Sequence, residues 1–371
     1  MDEEMVRDRI QGAILGALIG DALSVGPHWY YDLEELRTEF GEWIDYYTEP
    51  RPGRYHEGLA AGDWSQSGQV YVMLLESLAE RGAYFENDFT SRLDELLETL
   101  DGTPNSGRYT DEAMRDVWHD RIDDGLVWEE AGSFADTGEA AFRAVALAGR
   151  YAGDFAMAAR HMLSNVLVTH VGPYVVGRSL AYGMHVWALV NGASLADSKV
   201  MIQNAARDAK ISMSLPVTGP LRRAAAQEAE EGSEEASFFD AILLPAWIHE
   251  ASYDPAVQIE PAYAACRLYG LACPISSLLP AAYYFNSRFE GDFEFPVLHA
   301  VNGGGNNMAR AALTGGLAGA QCGLSEIPER FIHGLADSDE ILEMAEKIAE
   351  DALAADPEED PDELPPPEHG W

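Results

Sequence analysis

Two stretches at opposite ends of the chain carry the residue types that could do chemistry. Asp21 closes the run Gly12-Ala-Ile-Leu-Gly16-Ala-Leu-Ile-Gly20-Asp21-Ala22, and Asn302-Gly303-Gly304-Gly305-Asn306-Asn307 opens a second run through Ala311, Gly315, Gly319 and Gly323. A glycine-rich turn feeding a helix exposes amide donors to an anion or a sugar hydroxyl, so a cleft where these runs meet is the natural ligand site. His28, in Pro27-His28-Trp29-Tyr30-Tyr31-Asp32, can exchange a proton near neutral pH, and a carboxylate such as Asp21 or Glu57 could orient it for acid/base chemistry. Trp29, Tyr30 and Trp64 offer flat faces to a planar ring. Each residue also has a plainer reading: glycines for helix packing, Asp21 a helix-end carboxylate satisfied by backbone donors, His28 a hydrogen-bonded structural residue, the aromatics core.

The elements that must hold these residues read as helices. Small residues every fourth position form a smooth ridge on one helix face, and glycine inside a helix costs about 1 kcal/mol relative to alanine. Two such ridges in one chain are expected to sit against each other. Apolar spacing of three and four recurs at Val70, Met73, Leu74, Leu78 and at Ile341, Leu342, Ala345, Ile348, while β-rich pieces such as Trp43 to Thr48 and Val166 to Thr169 are short. The fold class read from this is all-α. No linker divides the chain, so residues 1–355 are expected to form one domain, followed by an acidic, proline-rich mobile tail over 356–371.

Composition narrows the function classes. Among 371 residues, 63 acidic side chains against 24 basic ones give a formal charge of −39, so the surface repels phosphate backbones and anionic lipid. A small-molecule ligand is expected, and neither nucleic acid nor a membrane; nothing indicates an oligomeric state. Lysine occurs only at 199, 210 and 347, a pattern of salt-adapted proteins and equally of GC-rich genomes. Cys266, Cys273 and Cys322 are not spaced as a zinc or redox pair and read as buried thiols. The acidic start and the absence of an 18-residue apolar run point to a soluble, cytoplasmic protein.

Together these stretches resemble the ADP-ribosylglycohydrolase family, which includes the dinitrogenase-reductase-activating glycohydrolases and the J1 crystallins. Gly12 to Ala22 is similar to the family's first helix, Thr169-His170 with Pro173 to its T-H-x-x-P segment, and Gly304 to Gly323 to its closing glycine helix. The resemblance spans about residues 8 to 332 and implies a single all-α orthogonal helical bundle. It also implies two magnesium ions held between a T-D-D-T and a D-T-D-T segment, since hard cations want several carboxylate oxygens. Here the first segment reads Trp64-Ser65-Gln66-Ser67-Gly68, and the second has Asn306 and Met308 at its two aspartates. Amide, hydroxyl and thioether groups are feeble magnesium ligands, so no metal and no other cofactor is expected. The H-W-x-Y-D element at His28 stands where the family commonly has a glutamate.

In such a cleft the polar candidates are Asp21, His28, His56, Glu57, Asp63, Ser65, Gln66, Ser67, His170, Asn302, Asn306 and Asn307, with Trp29, Tyr30 and the Gly303, Gly304 and Gly305 amides. His28, Asp21 and Glu57 are the expected catalytic set and the others the ligand-binding set; Arg310 is expected to pair with surface acids. Three functions follow. One is a metal-independent hydrolase or lyase acting on a sugar-like or nucleotide-derived substrate. The second is a non-catalytic relative serving as a binding or structural protein, and the third a magnesium enzyme with substitute ligands.

Overall fold

The computed structural model describes residues 2–106, 108–212, 214–216, 235–237 and 239–354. The expected tail over 356–371 lies outside the described residues. The chain is all-α. Its longer helices run, in order, Glu3–Val25, Gln66–Arg81, Glu86–Leu97, Glu139–Arg150, Phe155–Thr169, Pro173–Val190, Ser198–Asp208, Phe239–Tyr253, Ile275–Arg288, Glu294–Asn302, Asn307–Cys322 and Ser338–Ala354. One short antiparallel pair, Ser214–Pro216 with Glu235–Ser237, adds the only strands among the described residues.

The two glycine helices form the axis of the fold. A Cβ at Gly12 would collide with the Gly319 carbonyl, one at Gly16 with that of Gly315 and one at Gly20 with that of Ala311. Rising numbers on one helix meet falling numbers on the other, so the pair is antiparallel, and its backbones approach as the four-residue spacing anticipates. All of Gly12 to Val25 is buried, so this helix lies inside the molecule and is apolar nearly all round. Asp21 and the Asn306 end of the partner helix come together there, which places the candidate site at one end of the axis.

Neither β-rich piece becomes a strand. Val166 to Thr169 is the last turn of the Phe155–Thr169 helix, where tertiary burial of Val166, Val168 and Thr169 overrides their β preference. Residues 43–48 are irregular, and Asn302 pins them by accepting from Ile44 N–H at 2.9 Å and donating Nδ2 to Ile44 O at 2.8 Å. That pairing commits the Asn302 side chain to the fold rather than to a ligand. Among the described residues, no helix is long and apolar enough to cross a membrane.

Candidate active site

The turn after the first helix presents His28 to the head of the closing helix. Trp29 adopts φ 62°, a left-handed conformation rare for a bulky residue, and its N–H donates to Gly305 O at 3.0 Å. Gly305 N–H returns a bond to Tyr30 O at 2.7 Å. Gly304 and Gly305, both at positive φ, allow this contact: a Cβ on Gly304 would strike Tyr30 O, and one on Gly305 would strike Leu271 O. The loop amides are thereby used up, because Gly303 and Gly304 donate to Val301 O, Asn306 to Leu271 O and Asn307 to Gly305 O. Against the sequence expectation, the backbone donors of Gly303, Gly304 and Gly305 brace the turn and do not await an anion.

What the turn delivers is a chain of hydrogen bonds with a readable direction. Asn306 caps the closing helix, its Oδ1 accepting from Ala309 N–H at 3.3 Å, and the same oxygen lies 3.3 Å from His28 Nε2. That fixes the His28 proton on Nε2, so Nδ1 accepts from His56 Nε2 at 2.6 Å. His56 Nδ1 is then a bare acceptor, and it is buried with no partner. Burial drives the His28 imidazole well below its usual range, with His56 the next cause, and burial beside Arg108 takes His56 to about 4. Both rings are neutral near pH 7, so neither is a cationic donor.

Neither carboxylate expected to orient His28 does so. Asp21 is buried, and its two oxygens accept from Ser65 N–H at 2.8 Å and Ser65 Oγ–H at 2.7 Å. Ser65 in turn caps the Gln66–Arg81 helix by accepting from Gly68 N–H. Glu57 is exposed and accepts from Gly53 N–H, and Asp63 accepts from Ala60 N–H, so both stabilise their own turns. The Tyr30 hydroxyl donates to Glu39 and the ring lies under Arg54, so Tyr30 has no free face for a ligand; burial first, then Glu39, pushes its phenol to about 12. Arg310 is fully buried and donates to Ala300 O and Gly304 O, which corrects the expected surface pairing.

Burial of Asp21 outweighs its two Ser65 bonds and the Arg108 charge, raising it from 3.8 to about 6. A carboxyl raised on folding binds its proton more tightly in the native state, so its stabilising effect is complete below about pH 4 and lost as pH climbs through about 6. Two units amount to about 3 kcal/mol at most. Urea unfolding of wild type against Asp21→Asn between pH 4 and 7 should show wild type losing stability relative to the variant as pH rises; parallel curves would contradict the assignment.

Other side chains come together with this cluster. Trp29 packs edge-on against Tyr55 and Tyr109, at 4.4 and 4.8 Å between centroids, and stacks on His28 at 4.3 Å. The Cys273 thiol is half-buried, and burial raises it above its usual range. Gln66 donates Nε2 to Thr110 Oγ1 at 2.9 Å, leaving its buried Oε1 without a donor, and Ser67 is half-buried in the same helical turn. Asn307 donates Nδ2 to Pro27 O and Val301 O, and its buried Oδ1 has no donor. His170 is buried one wall away, between Thr169, Thr137 and Glu139. Tyr55, Arg108, Tyr109 and Cys273 escape sequence reasoning because none belongs to a spaced motif; tertiary packing alone brings them in.

Neither of the family's two metal segments carries a carboxylate in this chain. The Asn306 oxygen holds two donors already, both Asp21 oxygens bind Ser65, Met308 offers only sulfur, and the unpartnered oxygens of Gln66 and Asn307 are neutral amides. Among the described residues, no three His, Cys, Asp or Glu side chains gather as a ligand set.

Comparison with known proteins agrees with this architecture. The ADP-ribosylglycohydrolase family model matches residues 2–358. An uncharacterised protein of Archaeoglobus fulgidus is 28% identical over 349 residues, covering 93% of this chain and 97% of its own. A solved structure described as an ADP-ribosylglycohydrolase-related protein complex superposes with a TM-score of 0.60 at 19% identity, over 94% of this chain and 99% of the other. With a helical axis of paired glycine ridges and a family match over nearly its whole length, the chain belongs to the ADP-ribosylglycohydrolase family.

Proposed function

We propose that the protein is a hydrolase of this family that cleaves a glycosidic bond in a small ribosyl or nucleotide-derived substrate without the dinuclear magnesium centre. The observation that carries the reading is the Asn306–His28–His56 chain, in which every proton is placed and one acceptor, His56 Nδ1, is left open. It occupies the end of the glycine axis, where the family's carboxylates are replaced by groups committed to protein partners. A neutral, oriented imidazole pair can hold and relay a proton from a water or ligand hydroxyl. Trp29, Tyr55 and Tyr109 supply apolar ring faces beside it, suited to a base or a sugar face.

The test is release of ADP-ribose from an ADP-ribosyl–arginine conjugate in excess EDTA. Turnover that persists in EDTA and falls at least tenfold in His56→Ala supports the proposal; turnover abolished by EDTA and restored by magnesium contradicts it. A second reading, a non-catalytic binding protein, is favoured by one observation: His28 and Asn306 are only 3% and 4% exposed. It predicts ADP-ribose binding with no release from any conjugate.

A further inference from the structure

Arg310 lies one turn past Asn306 on the closing helix and is completely buried. A guanidinium can only donate, and both its partners here are backbone oxygens. Nε and Nη2 reach Ala300 O at 3.3 and 3.1 Å, and Nη2 also reaches Gly304 O. The third nitrogen, Nη1, is buried with no partner. Taking a cation out of water is costly, and an apolar side chain of similar volume would avoid that cost. What the guanidinium adds is a rigid, planar fork that holds two acceptors at a fixed spacing.

The two acceptors stand on either side of the glycine turn. Ala300 O is one of the last carbonyls of the helix Glu294–Asn302, the set that a helix leaves without a partner of its own. Gly304 O belongs to the peptide unit joining Gly304 to Gly305, and the N–H of that same unit donates to Tyr30 O at 2.7 Å. A peptide is planar, so fixing its oxygen fixes the direction of its N–H. Gly304 and Gly305 have φ of 69° and 65°, and glycine takes either sign of φ with nearly equal ease, so the unit has little intrinsic reason to keep this orientation. Turned over, it would aim oxygen at the Tyr30 oxygen.

Through that unit the guanidinium governs where His28 points. Gly305 N–H to Tyr30 O and Trp29 N–H to Gly305 O, at 3.0 Å, are the two bonds that bridge the turns. Trp29 is held at φ 62° beside this bridge, a conformation that persists only where its surroundings enforce it. His28 precedes Trp29, Asn306 follows Gly305, and their side chains meet at 3.3 Å. With the bridge broken, Trp29 relaxes and carries His28 off Asn306.

We infer that Arg310 is a positioning residue of the candidate active site: by clamping Ala300 O and Gly304 O it locks the Gly304–Gly305 peptide, and through the Tyr30 bridge it holds His28 Nε2 against Asn306 Oδ1. Its effect on turnover rests on the reading of the protein as a glycosidic hydrolase, whereas the clamp itself does not.

Nitrogen NMR of the apo protein with 15N-labelled histidine tests the clamp without any ligand, the His28 signals being identified by their loss in His28→Gln. In wild type the two ring nitrogens should report one tautomer with its proton on Nε2. In Arg310→Met the two signals should move toward each other as the tautomers exchange. Arg310→Lys keeps the charge but replaces the fork by a single ammonium; it should behave in the same way, and it carries the test where Arg310→Met does not fold. Thr314→Val is the control, because it removes only the 2.8 Å bond that Thr314 Oγ1 donates to the Arg310 backbone carbonyl, and its His28 signals should match wild type. Wild-type signals in a folded Arg310 variant, or averaged signals in Thr314→Val as well, would overturn the clamp. Release of ADP-ribose from the arginine conjugate then separates the two proposals. Turnover at least tenfold lower in the Arg310 variants and within twofold of wild type in Thr314→Val supports both. Averaged His28 signals in the Arg310 variants, with no turnover even in wild type, remove the hydrolase and leave the clamp standing; wild-type turnover in those variants removes the positioning role and leaves the hydrolase.

Discussion

Gly319→Leu is expected to lose about 3 kcal/mol or more of stability, the largest effect of any single substitution considered. Overpacking a core costs about 1–3 kcal/mol when side chains can yield. Here the new Cβ meets the carbonyl and following nitrogen of the opposed first helix, at Gly12 and Ala13, and backbone cannot rotate away. Separating the helices would also open the contacts at Gly16 and Gly20, since the three approaches belong to one rigid pair. Gly153→Ala is the control, because its added Cβ would meet nothing closer than 3.9 Å. Urea unfolding of the three proteins decides the matter: equal losses in the two variants would contradict the ridge.

Asn306→Ala should cost about 2–4 kcal/mol and abolish measurable ADP-ribose binding. Removing a helix cap costs about 1 kcal/mol, and leaving the buried His28 Nε2–H without an acceptor adds about 1–3 kcal/mol. The same truncation frees the His28 ring and lets the His56 relay drift, so affinity falls with stability. Asn306→Asp separates the two effects. It keeps an acceptor for both Ala309 N–H and His28, so most of the stability should return, while the added charge favours protonation of His28. An Asn306→Ala protein as stable as wild type, with unchanged affinity, would remove Asn306 from the site.

Much of the fold is legible in the sequence because the glycine spacing carries a physical demand that few arrangements satisfy. Gly12, Gly16 and Gly20 need a smooth partner surface, and Ala311, Gly315 and Gly319 are the stretch that provides one. The site is less legible. His28 and Asn306 are found by their sequence context and do meet, yet Asp21 and Glu57, read as partners of His28, are satisfied by Ser65 and by Gly53. Glu57 is taken by a donor of its own turn and Asp21 by the cap of a helix 44 residues on, and neither competition is visible until the chain is built. The sequence places His56 only in the ligand-binding set, and its bond to His28 depends on a loop with no regular period.

The proposed ribosyl ligand is expected to bind without magnesium. Isothermal titration of the protein with ADP-ribose, in buffered salt with EDTA and again with millimolar magnesium, tests that claim most directly. Binding of equal affinity in both buffers, within about twofold, is the predicted result. Binding that appears only with magnesium would contradict the reading of Gln66, Ser67, Asn306 and Met308 as a dismantled metal site, and no binding in either buffer would contradict the ribosyl ligand itself.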